Sequence, residues 1–443
     1  MAIKKFKKEI VFFIPFFTTG FLYAQDSAKI NHRFNLHFQT TYIYQYKPSF
    51  HSPYEGTSSL VGKEERQNSI TATLYVGAKL WKGAEVYLNP EMAGGSGLSG
   101  ALGMAGSSNG ETFRVGNSSP TLYSARYFIK QDFAFGNERE WQDDNANQLG
   151  GYVSKNYLNL YFGKFSLGDL FDNNEYSNSP RTQFMNWALM NNGAWDYAAN
   201  VRGYTYSFSM ALKLNSISYK LALAALPKEA NGEKLNTNFK DSFALAINSE
   251  IDKVYSLGGK KGNIRLLVYH NNANMGSYEE AIKMVGLPNI ESTRKLGRTK
   301  WGWGINFDQE LNETTGLFGR CGWNDGKNET WAFTEIDRTI SLGVSAKPIG
   351  LKRKDDNAGL ALVVNGISKD HQKYLAKGGS GFMLGDGALN YNVETISEWF
   401  YNLKPSAKIP LWLTADYQFV LNPGYNKDRG PVHIFSIRVH TEF

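Results

Sequence analysis

The sequence predicts an all-β fold: a single transmembrane antiparallel β-barrel of about 16 strands, with inward-folded loops that carry short helices. Three observations lead there. Apolar and polar residues alternate over segment after segment of eight to thirteen positions, the period of a strand with one greasy face. The chain opens with an export-type leader. It ends on an aromatic residue, Phe443, that closes an amphipathic segment.

The leader comes first in the chain. Lys4, Lys5, Lys7 and Lys8 form a cationic head, Ile10 to Phe17 and Phe21 to Tyr23 an apolar stretch, and Leu22-Tyr23-Ala24 the small-residue end before Gln25. That layout is a secretory signal peptide over residues 1–24, leaving 25–443 as an outer-membrane β-barrel domain. The apolar stretch is interrupted by Pro15 and is shorter than the roughly 20 residues a membrane helix needs. Removing the leader takes four Lys and one Glu, so the formal net charge falls from +7 to +4 and gives no support for nucleic-acid binding. With 42% hydrophobic residues and one cysteine, Cys321, the chain is neither disordered nor a disulfide scaffold.

The strands follow from the alternation. Segments fall at 34–46, 69–80, 83–90, 121–131, 157–165, 202–213, 215–225, 242–253, 262–270, 300–310, 315–323, 337–346, 358–366, 391–403, 408–420 and 431–443. The count of sixteen is even, as antiparallel closure in lipid requires. In the last segment Phe435, Ile437, Val439 and Phe443 oppose Ser436, Arg438, His440 and Glu442. In the one before it Leu411, Leu413, Ala415, Tyr417 and Phe419 oppose Trp412, Thr414, Asp416 and Gln418. The first segment sets Phe34, Leu36, Phe38, Tyr42 and Tyr44 against His37, Gln39, Thr41 and Gln45.

A soluble β-sandwich also alternates. The leader, the terminal aromatic, and Tyr, Trp and Phe near the ends of outward faces favour the barrel, because such rings suit the bilayer interface. Sliding the last strand by one residue would aim Arg438 at lipid, at a cost of about 2 to 4 kcal/mol at mid-membrane. Arg338 shares an outward face with Ile340, Leu342 and Val344, but it begins its strand, where the cost is only about 0 to 1 kcal/mol.

Connections alternate in length. Those at 213–215, 310–315 and 403–408 are short, whereas 91–120, 166–201, 270–299 and 366–391 are long, as in barrels with tight turns at one end and loops at the other. Residues 91–110 are dominated by Gly, Ser and Ala, and 181–192 hold a helix-like run with Phe184, Trp187, Ala188 and Leu189 after Ser179-Pro180. Such a loop is expected to fold into the lumen and narrow it, with Arg181 and Trp187 at the constriction.

Motifs for catalysis are weak. Gly95-Ser96-Gly97-Leu98-Ser99-Gly100 matches a phosphate-binding pattern but lacks a βαβ unit around it. The seven His show no helical zinc spacing, so neither metal nor cofactor is expected. A serine hydrolase in the barrel wall stays open as a minor alternative, without a nucleophile elbow to mark it. The inward faces instead carry fixed charges and hydrogen-bonding groups: Arg126 with Ser124 and Lys130, Glu85 with Tyr87 and Asn89, then Arg320, Glu394, Glu398, Asp416, Gln418 and Arg438. These groups either hydrate a passage or set a transverse field and a hydrogen-bonding ladder for neutral polyhydroxylated solutes.

Several stretches carry a resemblance. They include Pro90-Glu91 with the Gly-rich run to Asn109-Gly110-Glu111, Leu160 to Phe165 leading into Phe171-Asp172, and Pro180-Arg181-Thr182-Gln183-Phe184. Trp301-Gly302-Trp303-Gly304, Gly322-Trp323-Asn324-Asp325-Gly326-Lys327, Gly385-Asp386-Gly387, Asp416-Tyr417-Gln418, Asn422 to Asn426 and Asp428 to Pro431 continue it. In this order, from about residue 85 to Phe443, the chain resembles the carbohydrate-selective outer-membrane porin family (OprB-like). The resemblance implies a sixteen-stranded barrel in the bacterial outer membrane, passive diffusion of mono- and oligosaccharides, and an eyelet of Arg and acidic residues. The substrate pathway is then expected at Arg126, Arg320, Arg438, Glu85, Glu91, Asp416, Gln418 and Glu394. Its partners would be small saccharides, outer-membrane lipid and lipopolysaccharide, with the chain leaning toward a monomer. A barrel scaffold for adhesion with a plugged lumen is the rival reading.

Overall fold

The structure, a computed structural model, describes residues 31–112, 119–238, 245–348 and 353–443. The leader assigned to 1–24 lies outside the described residues, as do Phe243 and Ala244 of the eighth segment. Sixteen strands form: β1 (Phe34–Lys47), β2 (Glu65–Trp81), β3 (Ala84–Gly95), β4 (Thr121–Gln142), β5 (Gly151–Phe165), β6 (Thr205–Leu214), β7 (Ile217–Ala225) and β8 (Leu245–Leu257). The second half holds β9 (Lys260–Met275), β10 (Lys295–Asn312), β11 (Thr315–Asn324), β12 (Arg338–Ala346), β13 (Asn357–Gly366), β14 (Glu394–Leu403), β15 (Leu411–Leu421) and β16 (Val432–Glu442). Each of the sixteen expected segments overlaps one of these strands, and β2, β3, β9 and β10 run four or five residues past an expected bound.

Every strand pairs antiparallel with its chain neighbours, and β1 pairs with β16 from Gln39 opposite Glu442 to Tyr46 opposite Phe435, so the sheet is a closed barrel. Closure leaves no row of unpaired backbone groups facing lipid. The register agrees with the alternation: Phe435 and Ile437 are exposed on the outer wall, while Ser436, Arg438 and His440 are buried inside. Arg338 is exposed as the first residue of β12.

Two further expectations change. The β4–β5 hairpin extends well past its expected ends at 131 and 157, into the stretch Phe133 to Glu140, where every residue is exposed and alternation ceases because both faces meet solvent. Its turn folds back toward β1, where Asn35 Nδ2 donates to Asp144 Oδ1 and to the carbonyls of Asn145 and Gln148, each at 3.0 Å. The second change concerns Ser124, which faces outward rather than sharing the lumen face of Arg126. The pairing of β3 with β4 slips between Asn89, opposite Arg126, and Pro90, opposite Ser124. Proline has no N–H to give the ladder, and the extra residue, Ala125, forms a bulge that switches the face.

Turns of 2 to 10 residues join the strands at one end, and loops of 10 to 39 residues join them at the other. The β3–β4 and β5–β6 loops fold inward and pack on each other, with Gly110 N donating to the Met185 carbonyl at 2.8 Å and Trp187 N to that of Ser107 at 2.9 Å. The β5–β6 loop carries helix α1 (Trp187–Met190), whose first turn is capped by Asn186. Two further short helices, α2 (Tyr278–Ile282) and α3 (Lys369–Ala376), lie in the β9–β10 and β13–β14 loops. Phe184 wedges between Phe318 and Phe400 of the wall, at ring-centroid distances of 5.3 and 4.9 Å. The wall is thinned to admit this loop: a Cβ at Gly304 or Gly322 would meet the side chain of Asn192 at 2.1 Å. Part of the lumen is therefore a packed core.

Candidate functional site

Beside that core, between the β5–β6 loop and the wall formed by β1 to β4, lies a cavity of about 270 Å³. Arg126, Arg181, Arg202, Glu91, Glu111 and Asp169 line it together with Tyr75, Tyr204, Trp187 and Phe333. Charges of both signs are held in fixed pairs. The Arg126 guanidinium donates through Nε and Nη2 to both oxygens of Asp169, each at 2.7 Å, a bidentate arrangement that fixes its plane. Arg181 Nε donates to Glu111 Oε2 at 2.9 Å, and its Nη2 to Glu91 Oε2 at 3.2 Å.

Glu91 is buried and accepts four bonds, from Thr73 and Tyr123 at 2.5 Å each, from Tyr204 at 2.8 Å and from Arg181. A carboxylate so surrounded is fixed in place rather than free to swing. Burial by itself disfavours the Arg181 cation, but Glu111, Tyr75 and Glu91 outweigh it and hold the group charged well above the ordinary range.

An aromatic platform shares the same cavity. Trp187 stacks on Phe333 with centroids 4.6 Å apart and planes at 12°, and Tyr197 meets Phe333 at 5.2 Å. Phe333 adopts φ +56°, an uncommon conformation for a bulky residue. Burial pushes the Tyr197 phenol up to about 12, so it stays a neutral hydrogen-bonding group.

Of the expected site residues, the structure brings Arg126, Glu91, Arg181 and Trp187 to this cavity. The others lie elsewhere. Glu85 faces the lumen nearer the short-turn end, bonded to the Tyr87 hydroxyl at 2.7 Å and to Lys130 at 3.4 Å. Arg320, Arg438, Glu394, Asp416 and Gln418 face inward as their register requires, but they are buried beneath the loops and do not line this cavity. Glu394 accepts the N–H groups of Ala105, Gly106 and Gly424; Glu398 accepts those of Met185 and Asn186. Arg438 donates to the Pro180 and Gln183 carbonyls at 2.6 and 2.7 Å, and Arg320 to those of Leu189 and Ser177 at 2.7 and 2.6 Å. Gln418 donates to the Ser108 carbonyl at 2.8 Å. Together these side chains satisfy loop backbone that would otherwise be buried without partners. Asp416 lies among them, next to Gln418.

Sequence reasoning did not single out Asp169, Arg202, Tyr204 or Phe333. Asp169, Arg202 and Tyr204 belong to the β5–β6 loop and Phe333 to the β11–β12 loop, where no periodicity marks which side chain meets the cavity.

A family model described as carbohydrate-selective porin, OprB family, matches residues 63–443. The chain belongs to that family. This porin is also similar to Porin AaxA of Chlamydia abortus, 24% identical over 291 residues that cover 65% of this chain and 54% of that protein. Porin AaxA of Chlamydia felis is likewise 24% identical, over 64% of this chain and 54% of its own. The chain spans about half the length of these curated relatives. Among solved structures, the high-pH structure of Pseudomonas putida OprB matches with a TM-score of 0.68 at 15% identity, over 93% of this chain and 94% of that one. The outer membrane channel DcaP of Acinetobacter baumannii matches with a TM-score of 0.53 at 10% identity, over 93% and 97%. At such identities the likeness is one of fold. Family and fold together make this porin a channel of the bacterial outer membrane.

Proposed function

We propose that this porin lets mono- and oligosaccharides diffuse passively down their gradient, selecting them at the constriction lined by Arg126, Arg181, Glu91, Glu111 and Asp169. The observation that carries this reading is the pairing, around one cavity, of fixed opposite charges with the Trp187–Phe333 platform. A sugar has an apolar ring face and a rim of hydroxyls. The platform matches the first, and planar guanidinium and carboxylate groups match the second. Fixed charges of both signs also make entry of a simple ion less favourable than entry of a neutral solute that replaces its hydration as it passes.

The rest of the reading follows. The pore is complete in a monomer. The outward aliphatic and aromatic faces suit outer-membrane lipid and lipopolysaccharide. The leader over residues 1–24 is removed on export, and the barrel catalyses no reaction, requires no cofactor and binds no nucleic acid.

Liposome swelling tests selectivity. Purified protein is expected to admit neutral sugars of rising size up to a cutoff, and faster than polyols of matched mass. Equal rates for sugars and polyols overturn the selectivity, and zero conductance in planar bilayers would favour a plugged scaffold instead.

A further inference from the structure

We propose a second saccharide-binding station at the short-turn mouth of the barrel, centred on Trp412; it rests on the sugar pathway proposed above. A cavity of about 890 Å³ opens there, lined among others by Gln39, Tyr75, Asp144, Lys404, Trp412 and Glu442. Its volume lies within the range of about 300–1,000 Å³ typical of small-molecule sites. It is more than three times the volume of the constriction, so it can take a longer saccharide than the constriction holds at one time.

The two cavities share a wall, since Gln39 and Tyr75 line both. The Tyr75 hydroxyl accepts from Arg181 at 3.3 Å on the constriction side and from Gln39 on the other, so hydroxyl-binding groups run without a break between them. Trp412 projects inward from the start of β15, half-buried. The Lys404 ammonium sits 4.6 Å over its ring, and His440 lies 5.7 Å away. Lys404 is on a flexible stem and can yield that face to the apolar side of a sugar. Asp144 is held in place by Asn35 at 3.0 Å and by His37 at 3.1 Å, and with Glu442 it offers carboxylate acceptors for hydroxyls at the cavity edge. The folded-back β4–β5 turn that carries Asp144 closes one side of the mouth, giving the cavity a wall where a plain barrel end would be open.

The station acts from one side of the membrane, which makes it separable from the constriction. The test is the block of ion current through single, orientation-selected channels by a glucose trisaccharide added to either side. Trp412→Ala is expected to weaken block from the short-turn side by about three- to tenfold, the range of a lost aromatic contact, and to leave block from the loop side within about twofold. Trp412→Phe keeps a ring and is expected to stay near wild type, which also separates binding from folding. Trp187→Ala is expected to weaken block from both sides. Unchanged short-turn-side block in Trp412→Ala, with Trp187→Ala still impaired, overturns the station and leaves the sugar pathway standing. Absence of block in the wild-type channel from either side overturns both.

Discussion

Arg126 and Arg438 share a side-chain type and an inward register, yet they meet different surroundings. Arg126 keeps part of its surface open to the constriction, whereas Arg438 is fully buried against the carbonyls of Pro180 and Gln183. Arg126→Ala therefore removes a cation from the cavity and leaves the Asp169 carboxylate with the Ser166 N–H as its partner. The expected outcome is a shift of the reversal potential toward cation preference and weaker sugar block, with stability changed by no more than about 1 kcal/mol, because the pair is partly exposed. Arg438→Ala instead leaves two buried carbonyls without donors, a loss of about 1 to 3 kcal/mol, read as earlier denaturant unfolding and noisier open-channel current. Alternation in β16 was sufficient to place Arg438 inside the barrel, because a strand has only two faces. It was insufficient to tell a solvated inner face from one covered by a loop. That distinction depends on contacts between Arg438 and residues more than 250 positions away, which leave no periodic trace.

At the scale of elements, the inward β5–β6 loop is the part that fills and narrows the cylinder. Its backbone is anchored chiefly by side chains of the wall, and Glu398 holds two of its amides, at Met185 and Asn186. Glu398→Ala together with Arg438→Ala is expected to release the loop, raising single-channel conductance and the size cutoff in swelling assays while the barrel stays closed. An unchanged cutoff would mean that Phe184 and its aromatic neighbours suffice to hold the loop. At the long-loop end, the β11–β12 loop is tied to α3 through Asp337, which lies 3.4 Å from both Lys300 and His371. Burial opposes the charge on Asp337, but Lys300 and His371 outweigh it and hold the carboxyl below its ordinary range. Its contribution is thus present above the unfolded value of about 3.9 and is lost as pH falls through the lowered one. Glu335 has the opposite sign: burial raises it, so its ionisation costs stability at neutral pH and that cost disappears as pH falls. Protection of these loops from protease is therefore expected to rise on mild acidification and to fall only in strong acid. Glu335→Gln should remove the rise, and Asp337→Asn the fall.

The whole molecule depends on closure, and closure depends on β16, which joins β15 to β1. Ile437 sits between Ala415 and Tyr44 on the outer face of that seam. All sixteen strands were legible because lipid on one side and water or polar loops on the other impose the same two-residue period along the entire wall. The hairpin beyond residue 131 was not, because there both faces meet the same solvent. If the outer face of the seam meets hydrocarbon, depth must set the cost of a charge on it. Ile437→Arg, near the middle of the span, should cost about 2 to 4 kcal/mol, and His433→Arg, at the loop-side rim, only about 0 to 1. The measurement is the fraction refolded into lipid vesicles, scored as the compact form in unheated detergent electrophoresis. Ile437→Arg should lower that fraction sharply and His433→Arg barely. Equal yields for the two would mean that no apolar slab surrounds the cylinder, and the placement of this chain in a membrane would fall with it.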